Sequence, residues 1–434
     1  MTTPATNLPV PFGRQPRRLS GFGRAPVLVS AAVLACWADA ARGQDALRLS
    51  LSNDSAAAQR RLDLENLPYT LRLGDFKMLT SASMEAEYNS NITLVNSGAE
   101  GDLVLRPLLK EGFFWPVTEV NLLTFSLGAG YQAFLQHPSD DLWLITPDSA
   151  VQWDLYLPLG WRLNVHDQFS YEQDPTAWGA ISGTATYGGF YNTAGVLGSF
   201  DSHDVKASLG YDHFNFDASS AKYNYLSRGS DFVTGRASLQ VHPTAIVGFE
   251  VSGGPTAYSQ RLLSDNTTYS AGAFSEWHVS QEMLLKSRGG YYLYDFSEPS
   301  LSGGVSSQTG YYFSLEISHW PRKSFSYGLG CGLQAFMGNN SALTEQWHGT
   351  LWTEWRAASR LTLASYLRYE TATMPVAFAL NDDYSRLFGS LKAVWRFGER
   401  LSASLQYLHI LKDSSQAPLS YDQHRVTLGL TYNF

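Results

Sequence analysis

Residues able to do chemistry recur in this chain at every second position. Arg162, Asn164, His166 and Gln168 form one such row. Glu276 with His278, Lys286 with Arg288, Glu354 with Arg356, and Arg368 with Glu370 form others. A spacing of two places side chains on one face of an extended strand. Rows of mixed charge suit electrostatic work on a passing solute, whereas bond breaking needs a convergent set. A Ser/His hydrolase would need both groups on one outer face near a membrane edge. His166, His278 and His348 occur without a Gly-x-Ser-x-Gly, and read as imidazoles bonded to neighbours or water. The acidic pairs Asp140-Asp141 and Asp382-Asp383 fall in long polar stretches, where carboxylates are solvated or hold a weak cation. There is no phosphate-binding Gly-Lys-Ser/Thr and no metal spacing of His or Cys. The expectation is a chain that is not an enzyme and uses no cofactor or metal.

The elements that carry these rows are strands. Val151, Trp153, Leu155 and Leu157 oppose Gln152, Asp154 and Tyr156, and Trp161, Leu163, Val165 and Phe169 oppose the row begun by Arg162. Trp347, Leu351 and Trp355 likewise oppose His348, Glu354 and Arg356. Apolar faces lead with Trp, Tyr and Leu at strand ends, as membrane-interface girdles do. The opposite faces hold charge in mid-strand, which a dry core would reject unless paired. A soluble all-β protein such as a propeller also alternates, but it would not place charge there. Short connectors lie near Thr118, Gly160, Ser202, Pro243, Gln281, Arg322, Ser359 and Glu399, with longer ones between them. This pattern predicts a transmembrane antiparallel up-and-down β-barrel of about 18 strands (16 to 20), with short periplasmic turns and longer extracellular loops. By parity Arg162, Lys206, Arg236, Lys286, Arg288, Arg356, Arg368, Arg386, Lys392 and Arg396 point inward. So do Asp154, Glu172, Glu276, Glu316, Glu354 and Glu370, along with Asp212 and Glu250. Facing rows of opposite charge would set a field across a pore.

Composition agrees. Aromatics make up 14% of the 434 residues and charged residues only 16%, well under the roughly 25% usual in globular chains. The mean hydropathy is an unremarkable −0.18, and no run of about 18 apolar residues is long enough for a spanning helix. A net charge of −8 excludes a strongly basic nucleic-acid binder. Of the two cysteines, Cys36 falls in a targeting segment, so Cys331 stands alone, in an apolar row with Leu329 and Leu333. No internal disulfide is then available.

Residues 1–40 read as a secretory signal, with Arg14, Arg17, Arg18 and Arg24 before an apolar core and a small-residue cleavage site at Ala38-Asp39-Ala40. The alternative is a lipoprotein box at Val33 to Cys36 with Cys36 lipidated. Residues 41–79 read as a periplasmic leader too short to bury a core, and residues 80–434 as the barrel. The Gly-rich stretch from Asp174 to Gly189 is the first candidate for a loop folded inward as a constriction.

The chain ends on Val426, Leu428, Leu430, Tyr432 and Phe434 along one apolar strand face, opposed by Arg425, Thr427, Gly429, Thr431 and Asn433. This ending resembles the C-terminal strand of Gram-negative outer-membrane β-barrels. The resemblance implies outer-membrane lipid as a partner and the barrel-assembly machinery as a reader of that strand. Glu87-Tyr88-Asn89-Ser90-Asn91-Ile92 is similar to the opening strand of the β-barrel porin 2 group, which carries Asp where Ser90 stands here. That group is linked to exopolysaccharide loci. The likeness implies passage of saccharide-like material, with Tyr156, Phe274, Tyr292, Tyr294, Trp352 and Tyr366 as stacking surfaces. The expected activity is passive or weakly selective passage of small hydrophilic solutes. The rivals are a non-conducting structural or secretion-associated barrel and an outer-membrane hydrolase.

Overall fold

The computed structural model describes residues 69–299, 304–337, 341–377 and 382–434. The expected signal segment, Cys36 and the first part of the expected leader, to residue 68, lie outside the described residues. The strands in chain order are β1 (Leu71–Leu73), β2 (Phe76–Asn89), β3 (Asp102–Thr118), β4 (Asn121–Phe134), β5 (Leu142–Ile145), β6 (Ala150–Tyr156) and β7 (Trp161–Glu172). Next come β8 (Gly189–Asp201), β9 (Val205–Ala218), β10 (Arg228–His242), β11 (Ala245–Tyr258), β12 (Asn266–Ser280), β13 (Met283–Phe296) and β14 (Ser307–Arg322). The last are β15 (Phe325–Phe336), β16 (Ser341–Arg356), β17 (Leu361–Ala377), β18 (Tyr384–Arg396), β19 (Leu401–Ser414) and β20 (Tyr421–Asn433).

Each strand pairs antiparallel with its neighbour in the chain, and β5 and β6 share a single stave between β4 and β7. The wall closes where Ser81–Asn89 of β2 runs against Asn433–Arg425 of β20. Because β1 is only a flap folded back on β2, the result is a closed barrel of 18 antiparallel strands in up-and-down order. Closure removes the two open edges, so no backbone N–H or C=O row is left facing lipid. The first wall strand begins at Phe76, four residues before Thr80, and the flap's pairing reaches back to Leu71. Gly74, with φ of 62°, turns the chain so that Leu73 meets Phe76, a tight hairpin in a stretch whose mixed polarity suggested a leader.

The short connectors gather at one end together with the start of β2 and the end of β20. Gly160 shows why such turns choose their residues. Its φ is 84°, and a Cβ there would lie 2.1 Å from the Asp201 carbonyl oxygen.

The outer face is apolar and bears two aromatic belts. At the short-turn end Trp115, Trp161, Trp277, Trp355, Trp395, Tyr432 and Phe434 are exposed; toward the long loops Tyr88, Trp143, Tyr211, Tyr269, Tyr291, Tyr311, Tyr369 and Tyr407 are. Tyr269 and Trp277 stand eight residues apart on one face of β12, about 27 Å of strand, or about 21 Å of height at a tilt of about 40°. That is close to the height of the apolar band of a transmembrane β-barrel. Val426, Leu428 and Leu430 lie on the same outward face, all exposed.

Candidate functional site

The inner face is polar, and its charges are arranged in paired sets. On β6 and β7, Arg162 donates to Asp154 at 2.7 Å, and Asn164 donates to the same carboxylate. His166 bridges Asn164 and Asp212 at 2.8 and 2.9 Å. Arg288 and Arg236 converge on buried Glu250 at 2.9 and 3.8 Å, where Tyr312 also donates at 3.0 Å. Arg368 and Arg386 clasp Glu370 at 2.7 Å each, all three nearly sealed from solvent. Glu276 lies opposite Lys286, and Lys286 opposite Glu316, by strand register.

Other expected positions sit apart from these sets. Lys206, Lys286 and Glu316 are exposed near the short-turn end, while Glu354, Arg356, Lys392 and Arg396 are half-buried there. Lys206 meets Asp201 at 3.2 Å. Glu172 is half-buried at the opposite end of β7. Among the aromatics, Tyr292 and Tyr294 are packed with Phe296, Met337 and Leu343, so they offer little face to a solute. Tyr156, Phe274, Trp352 and Tyr366 remain half-buried, with the Arg236 guanidinium 4.0 Å over the Phe274 ring. Cys331 is exposed on the outer face beside Leu329.

The long connector 173–188 turns inward across the mouth. Its start is tied to β20, where Arg425 donates twice to Asp174 at 3.1 Å. Arg386 donates to the Thr176 carbonyl at 2.8 Å. Trp178, Ile181 and Tyr187 then pack with Phe216, Tyr223, Leu226 and Leu263. Ala180 lies against Ala372 and Tyr384 on the far wall. Ser182 donates to the Leu419 carbonyl at 2.8 Å and accepts from Lys412 at 3.2 Å. Gly179 is pressed so closely to that wall that a Cβ would fall 2.5 Å from Tyr384 Oη and 2.7 Å from Glu370 Oε1. The loop therefore rests on the Arg368–Glu370–Arg386 set itself.

Six charged groups of this mouth were not among the inward positions expected from the sequence. Glu87 takes two bonds from Arg106, at 3.0 and 3.1 Å, and lies 3.9 Å from Arg425, which holds Asp174. Asp382, expected as a solvated loop acid, is instead sealed against Lys412 at 3.0 Å with both side chains essentially unexposed. Strand parity would have flagged Arg106, Arg425 and Lys412, because each lies two residues from a recognisably inward neighbour. Nothing local marks Asp174 or Asp382, whose partners are supplied by other staves.

Electrostatics fix the loop's charge state. The surrounding protein alone would raise the Asp174 carboxyl, but the Arg425 guanidinium, with hydrogen bonds from Arg425 and Thr176, holds it well below the usual carboxylate range. In the neighbouring loop His137 donates toward Asp102 and Glu100, at 2.9 and 3.0 Å. These bonds, the one to Asp102 foremost, raise the imidazole above its ordinary value.

No protein-family model matches this chain, and no curated protein matches it significantly. Several solved structures share its trace. The outer membrane protein OpdK of Pseudomonas aeruginosa is 10% identical with a TM-score of 0.46, over 82% of this chain and 99% of that one. OccK5 (OpdH) of the same organism is 11% identical with a TM-score of 0.46, over 82% and 98%. OpdL, also of P. aeruginosa, is 10% identical with a TM-score of 0.47, over 83% and 99%. At these identities and TM-scores the likeness carries no conclusion about this chain's role.

Proposed function

We propose that this chain is a porin-like channel through which small hydrophilic solutes cross the outer membrane passively, with weak selection by charge. The observation that carries the reading is connector 173–188, bonded across a barrel whose inner wall is lined by paired ions. Exposed and half-buried inner charges such as Lys206, Lys286, Arg162 and Glu354 suit a water-filled lumen, while the charges sealed beneath the loop are paired because an unpaired ion away from water would not survive. Basic and acidic groups alternate around the constriction: Arg106, Arg368, Arg386, Lys412 and Arg425 against Glu87, Glu370, Asp174 and Asp382. Near-balance of sign favours size exclusion with a transverse field over strong ion selectivity.

Saccharide-like solutes belong to the same reading through the six-residue likeness to the β-barrel porin 2 group. The stacking surfaces available for them are Tyr156, Phe274, Trp352 and Tyr366, not Tyr292 and Tyr294, which are packed away. Lipid meets the two aromatic belts, and the C-terminal face from Val426 to Phe434 is the segment offered to the barrel-assembly machinery. The test is swelling of liposomes containing the purified barrel in graded neutral and charged sugars. Swelling that falls with solute size supports the reading; liposomes no leakier than empty ones overturn it in favour of a closed structural barrel. Unchanged sugar flux in Ala variants of these four half-buried aromatics would remove the saccharide part alone.

A further inference from the structure

The lumen explains the inward charges but leaves a cluster on the outer wall unaccounted for. His409 of β19 and His424 of β20 are direct cross-strand partners, and both point outward, in the exposed rows of Tyr407 with Leu411 and of Val426 with Leu428. Their rings lie parallel, 3° apart in orientation with centroids 4.5 Å apart. Asp422 stands beside them, its carboxylate 2.8 Å from His409 Nε2 and 3.6 Å from His424 Nε2. One ligand atom from each of the three falls within 4.8 Å of the others.

Three points make this more than a hydrogen-bonded patch. Tyr407 Oη lies 2.8 Å from His424 Nδ1; a proton held on that nitrogen leaves Nε2 bare and aimed at the carboxylate, as an outer-shell partner does for a metal-bound imidazole. The backbone is fixed, because Ser90 of the loop after β2 exchanges bonds with His424 at 2.9 Å on both its N–H and its carbonyl. Finally, the outward neighbours by register are Leu387, Gly389, Leu391, Leu411 and Val426, which supply no cation to neutralise Asp422.

We propose that His409 Nε2, His424 Nε2 and the Asp422 carboxylate form a site for one borderline divalent transition ion of the Zn2+ class. Two imidazoles and a carboxylate suit such ions better than the all-oxygen preferences of Ca2+ or Mg2+. Three protein ligands leave a coordination position facing the membrane interface, open to water or to an anionic oxygen there. The ion would clamp β19 to β20, next to the strand pair that closes the wall.

The experiment is equilibrium dialysis of the untagged full barrel in detergent against Zn2+, alongside His424→Ala, the double variant H409A/H424A, and Tyr407→Phe. One Zn2+ per barrel is expected, weakened at least about tenfold by His424→Ala, abolished by the double variant, and weakened to a smaller extent by Tyr407→Phe. Binding of Zn2+ by the double variant equal to that of the native chain would overturn the site. Electron paramagnetic resonance of the native barrel with Cu2+ gives a second readout that needs no variant: two coupled nitrogens are expected, and an all-oxygen spectrum would contradict the assignment.

Discussion

Replacing Asp174 by Asn should let the start of the mouth loop lift from the wall. The substitution removes the charge that receives two bonds from Arg425 at 3.1 Å, while an amide oxygen can still accept from the Thr176 N–H that Asp174 now caps at 2.9 Å. A hydrogen-bonded pair of opposite charges contributes about 1.5 to 3 kcal/mol. Asp174 keeps 47% of its side chain accessible, so solvent screening reduces that to about 1 to 1.5 kcal/mol. Such a change shifts the ratio of lifted to seated loop by roughly tenfold. The rest of the loop stays docked through Trp178, Ile181 and Tyr187, so partial rather than complete opening is expected. Single-channel recording reads this directly: the variant should spend roughly ten times longer in a larger conductance level, and the difference should shrink in high salt. Identical level occupancies in native and D174N barrels, with Trp178→Ala as a positive control that does change them, would refute the reasoning.

Other outcomes follow from the same contacts. Glu370→Gln leaves two buried guanidiniums short of their shared carboxylate and should destabilise the barrel by about 3 to 5 kcal/mol in urea-driven unfolding from vesicles. Gly179→Ala places a methyl against Tyr384 and Glu370 and should raise mean conductance without lowering barrel stability comparably. The Asp174 carboxyl is depressed, so its contribution is present above the ordinary carboxylate value and lost only as pH falls through its lower folded value; loop seating measured by conductance should hold from pH 7 to pH 4. His137 is raised, so its hold on Asp102 is complete below the ordinary imidazole value and is lost as pH rises through the higher folded one. Amide exchange at residues 136–141, corrected for its intrinsic pH dependence, should therefore quicken above neutrality. Deleting Phe434, whose N–H donates to the Thr80 carbonyl at 3.0 Å beside the wall's closing seam, should slow assembly-machinery-dependent insertion in a membrane-integration assay.

The barrel was legible because its rule is local. A period of two, Gly and Pro at turns, and Trp or Tyr near strand ends all lie within a dozen residues of one another, and β7, β16 and β20 emerge where that rule puts them. The inward loop was readable only as a suspicion from its length and glycines. The pairings that seat it were not readable, because Asp174 and Arg425 are 251 residues apart and become neighbours only when the wall closes. The same limit hid Asp382, sealed by Lys412 of β19, and turned Tyr292 and Tyr294 from presumed stacking surfaces into core. The His409–Asp422–His424 group shows it again: two of its members are an i, i+2 pair, unremarkable until β19 lies alongside. Parity tells which way a side chain points; partnership is decided by closure.

The most direct test of the account is ion current through the purified barrel in a planar bilayer, measured for the native chain and for a variant in which residues 173–188 are replaced by a short Gly-Ser turn. Small discrete steps in the native chain and clearly larger ones in the variant are predicted by the proposal that the loop narrows a wet lumen. No current from either protein, correctly inserted, would contradict it.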